Sequence, residues 1–141
     1  MSGKFSTVLD IKVIGPQTFE VDSPLVFETE EVIIQVNPGF DFDGASVPQA
    51  LWGLGLSPMT GGYQRAACLH DALYASEFYD RKKCDELFLA AMESDGVPYK
   101  KRMAMFYAVR MFGGLVWKDH KQEEVDAYRS KYIGLVEALG S

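Results

Sequence analysis

Hydrophobic and polar positions change their period about a third of the way along the chain. Before residue 45 the apolar residues alternate or cluster in short runs. Phe5–Ile14 alternates with a period near two, and Gly15-Pro16 breaks it. Thr18–Asp22 and Leu25–Thr29 are two further short extended runs on either side of Ser23-Pro24. Glu31–Val36, read EVIIQV, is the clearest strand and stops at Asn37-Pro38-Gly39, with Phe40–Gly44 adding a last short extended piece. The pattern predicts a small antiparallel sheet with one apolar face.

After residue 45 the period becomes helical. Ser46 is placed to cap a short helix that carries Pro48 in its first turn and runs to Trp52. The stretch Gly61–Met92 predicts two helices folded back on each other around a turn at Glu77–Asp80, with Asp80 capping the second. Gly96 ends that helix, and Pro98 opens another to about Phe112. This third long helix is apolar nearly all round, so it should be the most buried. A final amphipathic helix is expected over Gln122–Leu139, with Val125, Tyr128, Tyr132, Leu135, Val136 and Leu139 on one side. Strands first and helices after define an α+β fold, with a small N-terminal antiparallel sheet and a helical core built on a helix hairpin. No repeat or linker divides the 141 residues, a length that fits one domain.

Composition narrows the function classes. With 48% hydrophobic and 13% aromatic residues the chain has the material for a core. Its net charge of −6 argues against tight, sequence-independent binding to nucleic acid and disfavours simple attraction to anionic lipid. The basic runs Arg81–Lys83 and Lys100–Arg102 read as solvated helix starts. The apolar run Ala104–Trp117 is too short to span a bilayer and is interrupted by Arg110. The N-terminal residues lack the pattern of a secretory signal, which points to a cytosolic setting with Cys68 and Cys84 as buried free thiols.

The chemistry gathers on the hairpin. His70 shares a helix face with Ala66, Ala67, Leu73 and Tyr74, because residues three and four apart are neighbours on a helix. Asp85 shares the corresponding face of the next helix with Phe88, Leu89 and Met92. If the helices pack antiparallel, a carboxylate orients an imidazole, the arrangement a general base needs. The alternative is a histidine satisfied in the core for structure alone. Asp71 points about 100° away from His70 and is open to two roles: ligand to a hard cation, or salt-bridge partner of Arg110. In FDFDGASVP, Asp41 and Asp43 face the same way on an extended chain, and Asp43 is a candidate to join Asp71 as a ligand. Ser46 reads as a helix cap rather than a nucleophile, since the signature G-x-S-x-G is absent.

The order DFDGASVP, then Trp52, AACLHDALY, DELFLAAM and YAVRMFG resembles a phage and prophage family catalogued as a domain of unknown function, number thirteen fifty-three. The resemblance covers roughly residues 30–117. It implies a phage or prophage product that works in the cytoplasm of a bacterial host or in a virion, and it brings no established activity. A narrower likeness joins AACLHDALY and CDELF to the helix pair of phospholipase A-two enzymes. It implies His70 as the base activating water, Asp71 as a calcium ligand, and Tyr74 and Asp85 holding the histidine. WGLGL echoes the glycines of the calcium loop, whereas the paired cysteines of those enzymes are missing.

Two functions are therefore expected in competition. One is a hydrolase of an ester, a lipid ester included, with His70, Asp85 and Tyr74 as its catalytic group and calcium held by Asp71 and Asp43. It requires the ring to converge with the carboxylates on a pocket that water enters. The other is a non-catalytic virion, assembly or host-interaction protein in which the same residues form a buried structural network.

Overall fold

The computed structural model describes residues 2–16, 18–43 and 63–137. The short helix expected over Ser46–Trp52 and the WGLGL stretch lie outside them. The fold is α+β, with antiparallel strands at the N-terminus followed by four helices.

Strand β4 (Leu25–Thr29) and strand β5 (Val32–Val36) form the hairpin at the centre of the larger sheet. The Thr29 hydroxyl accepts from the backbone N–H groups of Glu31 and Val32 at 3.2 and 3.1 Å, which closes the turn. Register pairs Leu25 with Val36 and Phe27 with Ile34, so one face carries four buried apolar side chains. Strand β1 (Gly3–Phe5) lies against β4, with the Phe5 and Phe27 rings 4.8 Å apart.

The expected single strand over Phe5–Ile14 is two strands in two sheets. Strand β2 (Ile11–Val13) pairs with β3 (Phe19–Val21), which pairs with β6 (Asp41–Phe42). The break between β1 and β2 has a local cause. Asp10 accepts from the Ser23 hydroxyl at 2.6 Å and gives its carbonyl to the Asp22 N–H, which binds the chain to the second sheet.

Helix α1 (Gln64–Ser76) and helix α2 (Arg81–Ser94) make the expected hairpin. Glu77 ends α1 in the left-handed region at φ 43°, and Asp80 caps α2 by accepting from the Lys83 N–H at 2.8 Å. Gly96, at φ 75°, follows the end of α2. Helix α1 packs between α2 and helix α4 (Gln122–Tyr132), while helix α3 (Tyr99–Lys118) rests on α2 at the outside.

Two expectations fail here. The last helix stops at Tyr132, and the chain continues as strand β7 (Ile133–Glu137), which pairs with β5 and completes the sheet β1-β4-β5-β7. Ile133, Leu135 and Val136 satisfy a helical or an extended pattern equally well, and the open edge of β5 decides for the strand. Helix α3 is also not the most buried. It buries Met105, Ala108, Val109 and Gly113, whereas Tyr107, Met111 and Leu115 are more than half exposed. The buried helix is α1, with ten of its thirteen residues inside.

Candidate functional site

Three helices meet on one carboxylate. His70 and Tyr74 stand one turn apart on α1, and Asp85 faces them from α2. The Oδ1 of Asp85 lies 2.7 Å from His70 Nε2 and accepts from the Tyr74 hydroxyl at 2.7 Å. Its Oδ2 accepts from Arg110 of α3 at 2.8 Å and, at 3.5 Å, from Arg81 one turn back on α2. Arg81 also donates to the carbonyls of Val109 and Arg110, at 2.9 and 3.2 Å, and so ties α3 to the network. Gly113 makes the room: a Cβ there would stand 2.5 Å from the Tyr74 hydroxyl and 3.2 Å from Arg81 Nη1.

The electrostatics follow from these partners. Burial alone pushes the Asp85 carboxyl up, but the hydrogen bond and charge of His70, with the Tyr74 and Arg110 donors, outweigh it and hold the carboxyl below its usual range. Burial and the adjacent Asp85 charge raise the Tyr74 phenol, so it stays a donor. An ionised carboxylate only accepts, so the proton of this contact sits on His70 Nε2. In the neutral ring the lone pair then belongs to Nδ1. The imidazole is further fixed between the Phe88 ring, stacked at 4.4 Å, and the Tyr74 ring at 4.3 Å. Asp85 and His70 are fully buried.

Beside this network lies a cleft of about 320 Å³. Asp71 and Tyr74 of α1 border it, with Asp41, Phe42 and Asp43 from the β6 region, Val116 and His120 from the end of α3, and Tyr128 of α4. The structure thus brings Asp43 and Asp71 to one cleft, and His70, Tyr74 and Asp85 to one network, with Tyr74 shared by both. Ser46 lies outside the described residues. Among the described residues no group of three or more His, Cys, Asp or Glu side chains could hold a metal ion. No helix of the described residues is long and apolar enough to cross a membrane.

Sequence reasoning placed two cations differently. Arg110 was expected against Asp71; its carboxylate partner is Asp85. The run Arg81–Lys83 predicts a solvated basic start, although the i, i+4 spacing of Arg81 to Asp85 is a signal of the observed pairing. The pairing of the second histidine, His120, is not foreseen from the sequence. His120 Nδ1 lies 3.0 Å from Glu77 Oε2 at the rim of the cleft, a pairing across 43 residues that no local pattern announces. Cys68 and Cys84 are free and buried, as expected. Burial pushes the Cys84 thiol up to about 12 and raises that of Cys68, which leaves both as unreactive thiols.

Fold and site define an α+β protein with a His–Asp–Arg network held between three helices, next to an acidic cleft. The chain belongs to the family described as Protein of unknown function (DUF1353), whose model matches residues 19–109. It is similar to two proteins of Sinorhizobium fredii (strain NBRC 101917 / NGR234). With Uncharacterized protein y4jT it is 31% identical over 96 residues, 67% of this chain and 29% of that protein. With Uncharacterized protein y4iH it is 35% identical over 79 residues, 56% of this chain and 33% of that protein. The matched segment thus spans about a third of each relative's length. No solved structure matches the chain.

Proposed function

We propose that this protein is a hydrolase of an ester, with a lipid ester as the leading substrate class. His70 is the general base and Asp85 the group that orients it. The observation that carries this reading is the sharing of one Asp85 oxygen by His70 Nε2 and the Tyr74 hydroxyl, each at 2.7 Å. It holds the ring in place and sets a carboxylate against the cation the base becomes. The imidazole takes a proton from water as the water oxygen bonds to the ester carbonyl carbon. The bond to the alkoxy oxygen then breaks, and the proton passes from the imidazolium to that leaving oxygen, giving an acid and an alcohol. Asp85 holds the ring and stabilises its cation without taking the proton itself. Stability alone is a weak reason for such a network, because a buried ion pair is often no better than apolar packing of equal volume.

Incubating the purified protein with short-chain and phospholipid esters tests this. We expect hydrolysis, and a loss of about 10²–10⁴-fold in His70→Asn with the circular dichroism spectrum unchanged. A wild type inactive with and without added calcium would sink the proposal.

One observation favours a second reading. The His70 ring is fully buried, as a purely structural histidine would be. In that reading the protein is a non-catalytic phage component of a virion or of the host interaction, and the network fixes the helix hairpin. Its phage setting rests on the motif order around DFDGASVP and AACLHDALY. Here His70→Asn costs about 1–3 kcal/mol of stability through unsatisfied partners and moves no catalytic rate.

A further inference from the structure

The outer face of α3 carries an apolar stripe that none of the described elements covers. Tyr107, Met111 and Leu115 follow one another at helical spacing and are 57%, 73% and 68% exposed, with Phe112 beside them at 44%. Lys100 and Lys118 lie on the same stripe at its two ends, both exposed. At 1.5 Å per residue the apolar section from Ala104 to Leu115 is about 17 Å long. Isolated exposed apolar residues need no explanation, but a continuous stripe of this length marks a contact surface.

Charge selects the occupant. The chain as a whole is at −6, yet α3 holds five of its fourteen Lys and Arg residues and none of its twenty Asp and Glu. Arg110 is committed to Asp85 and Arg102 donates to the Val97 carbonyl, while Lys100, Lys101 and Lys118 stand exposed. An apolar stripe bracketed by lysines fits a surface that is greasy below and anionic above. A helix lying in the plane of an anionic bilayer buries its apolar side chains at the headgroup boundary and lets its lysines reach up to the phosphates. A second copy packed antiparallel through the same stripe would set Lys100 of one chain against Lys118 of the other, like charge on like.

We propose that α3 is a docking face for an anionic lipid surface. The face leads to the cleft, because Phe112 at its edge stands one turn before Val116 and two before His120, both on the cleft wall. The proposal stands whether or not the cleft is catalytic. It would give an ester hydrolase its substrate at the mouth of its site, and a non-catalytic protein its place of attachment.

Co-sedimentation with vesicles tests it without any readout of hydrolysis. The protein should pellet with phosphatidylcholine vesicles that contain phosphatidylglycerol and remain in solution with phosphatidylcholine alone. Raised salt should release it. Met111→Asp combined with Leu115→Asp should weaken binding about tenfold or more, and Lys100→Glu or Lys118→Glu roughly fivefold each. All four positions are exposed, so unaltered melting curves would show that the variants fold. Absence of binding to the anionic vesicles, or equal binding by the Asp variants, overturns the proposal. So does a dimer in solution that the same Asp variants dissociate, since that assigns the face to a second copy.

Discussion

The interior of the helix hairpin and the outer face of α3 reverse the usual distribution of side chains. The hairpin encloses an imidazole and a carboxylate, both fully buried, and draws two arginines onto the carboxylate. Helix α3 turns Tyr107, Met111 and Leu115 outward. Burial here follows position in the layers rather than hydropathy. Helix α1 packs between α2 and α4, so whatever it carries is enclosed, whereas α3 rests on α2 and keeps a free side. A charged group survives enclosure only when its partners come with it, and each atom of the Asp85 carboxylate has them.

The largest test of this contrast is Asp85→Ala. It leaves two arginines, a phenol and an imidazole without their common acceptor, and should cost about 3–5 kcal/mol by denaturant unfolding. A loss no larger than that of a surface substitution would mean the network is not what holds the three helices. Next come two neighbouring glycines. Gly113→Ala drives a methyl into the Tyr74 hydroxyl and Arg81 and should destabilise by about 1–3 kcal/mol. Gly114→Ala meets nothing nearer than Arg81 Cζ at 3.9 Å and should gain up to about 1 kcal/mol from helix propensity. Similar effects at both positions would contradict the close approach at Gly113.

Acid offers a subtler probe of the hairpin. The Asp85 carboxyl is lowered in the fold from its ordinary 3.8. Its contribution to stability is therefore complete above that value and is lost as pH falls through the lowered one. Thermal melts below pH 3.8 should show the wild type losing more stability than Asp85→Asn, which cannot titrate. Parallel losses would place the acid sensitivity elsewhere. The smallest effect belongs to α3: Met111→Ser should change stability by no more than about 0.5 kcal/mol, because the side chain it removes already faces water.

Much of the hairpin was legible in the sequence because its signals are local. The i, i+4 spacing of His70 and Tyr74, the Asp80 cap and the turn at Glu77–Asp80 each depend on a few consecutive residues. Strand β4 keeps the limits its pattern drew, Leu25–Thr29. What escaped depends on distant partners. Strand β7 exists because β5 offers an edge, and a helical pattern through Leu135 and Val136 gives no sign of it. The exposure of α3 follows from which helices flank it, and an all-round apolar sequence reads the same inside or outside. Arg110 found Asp85 rather than Asp71, a choice made by the packing of α3 on α2. The Glu77–His120 pair joins the end of α1 to the end of α3, a contact that only tertiary structure creates.

Catalysis at His70 requires that water reach its ring from the cleft. Hydrogen–deuterium exchange at the imidazole C2 position, read by mass spectrometry, measures this directly, and His120 at the cleft rim serves as the internal reference. The hydrolase reading predicts that both histidines take up deuterium, His70 more slowly than His120. Labelling of His120 alone, with His70 untouched over the same days, would contradict it and leave the Asp85 network a structural device.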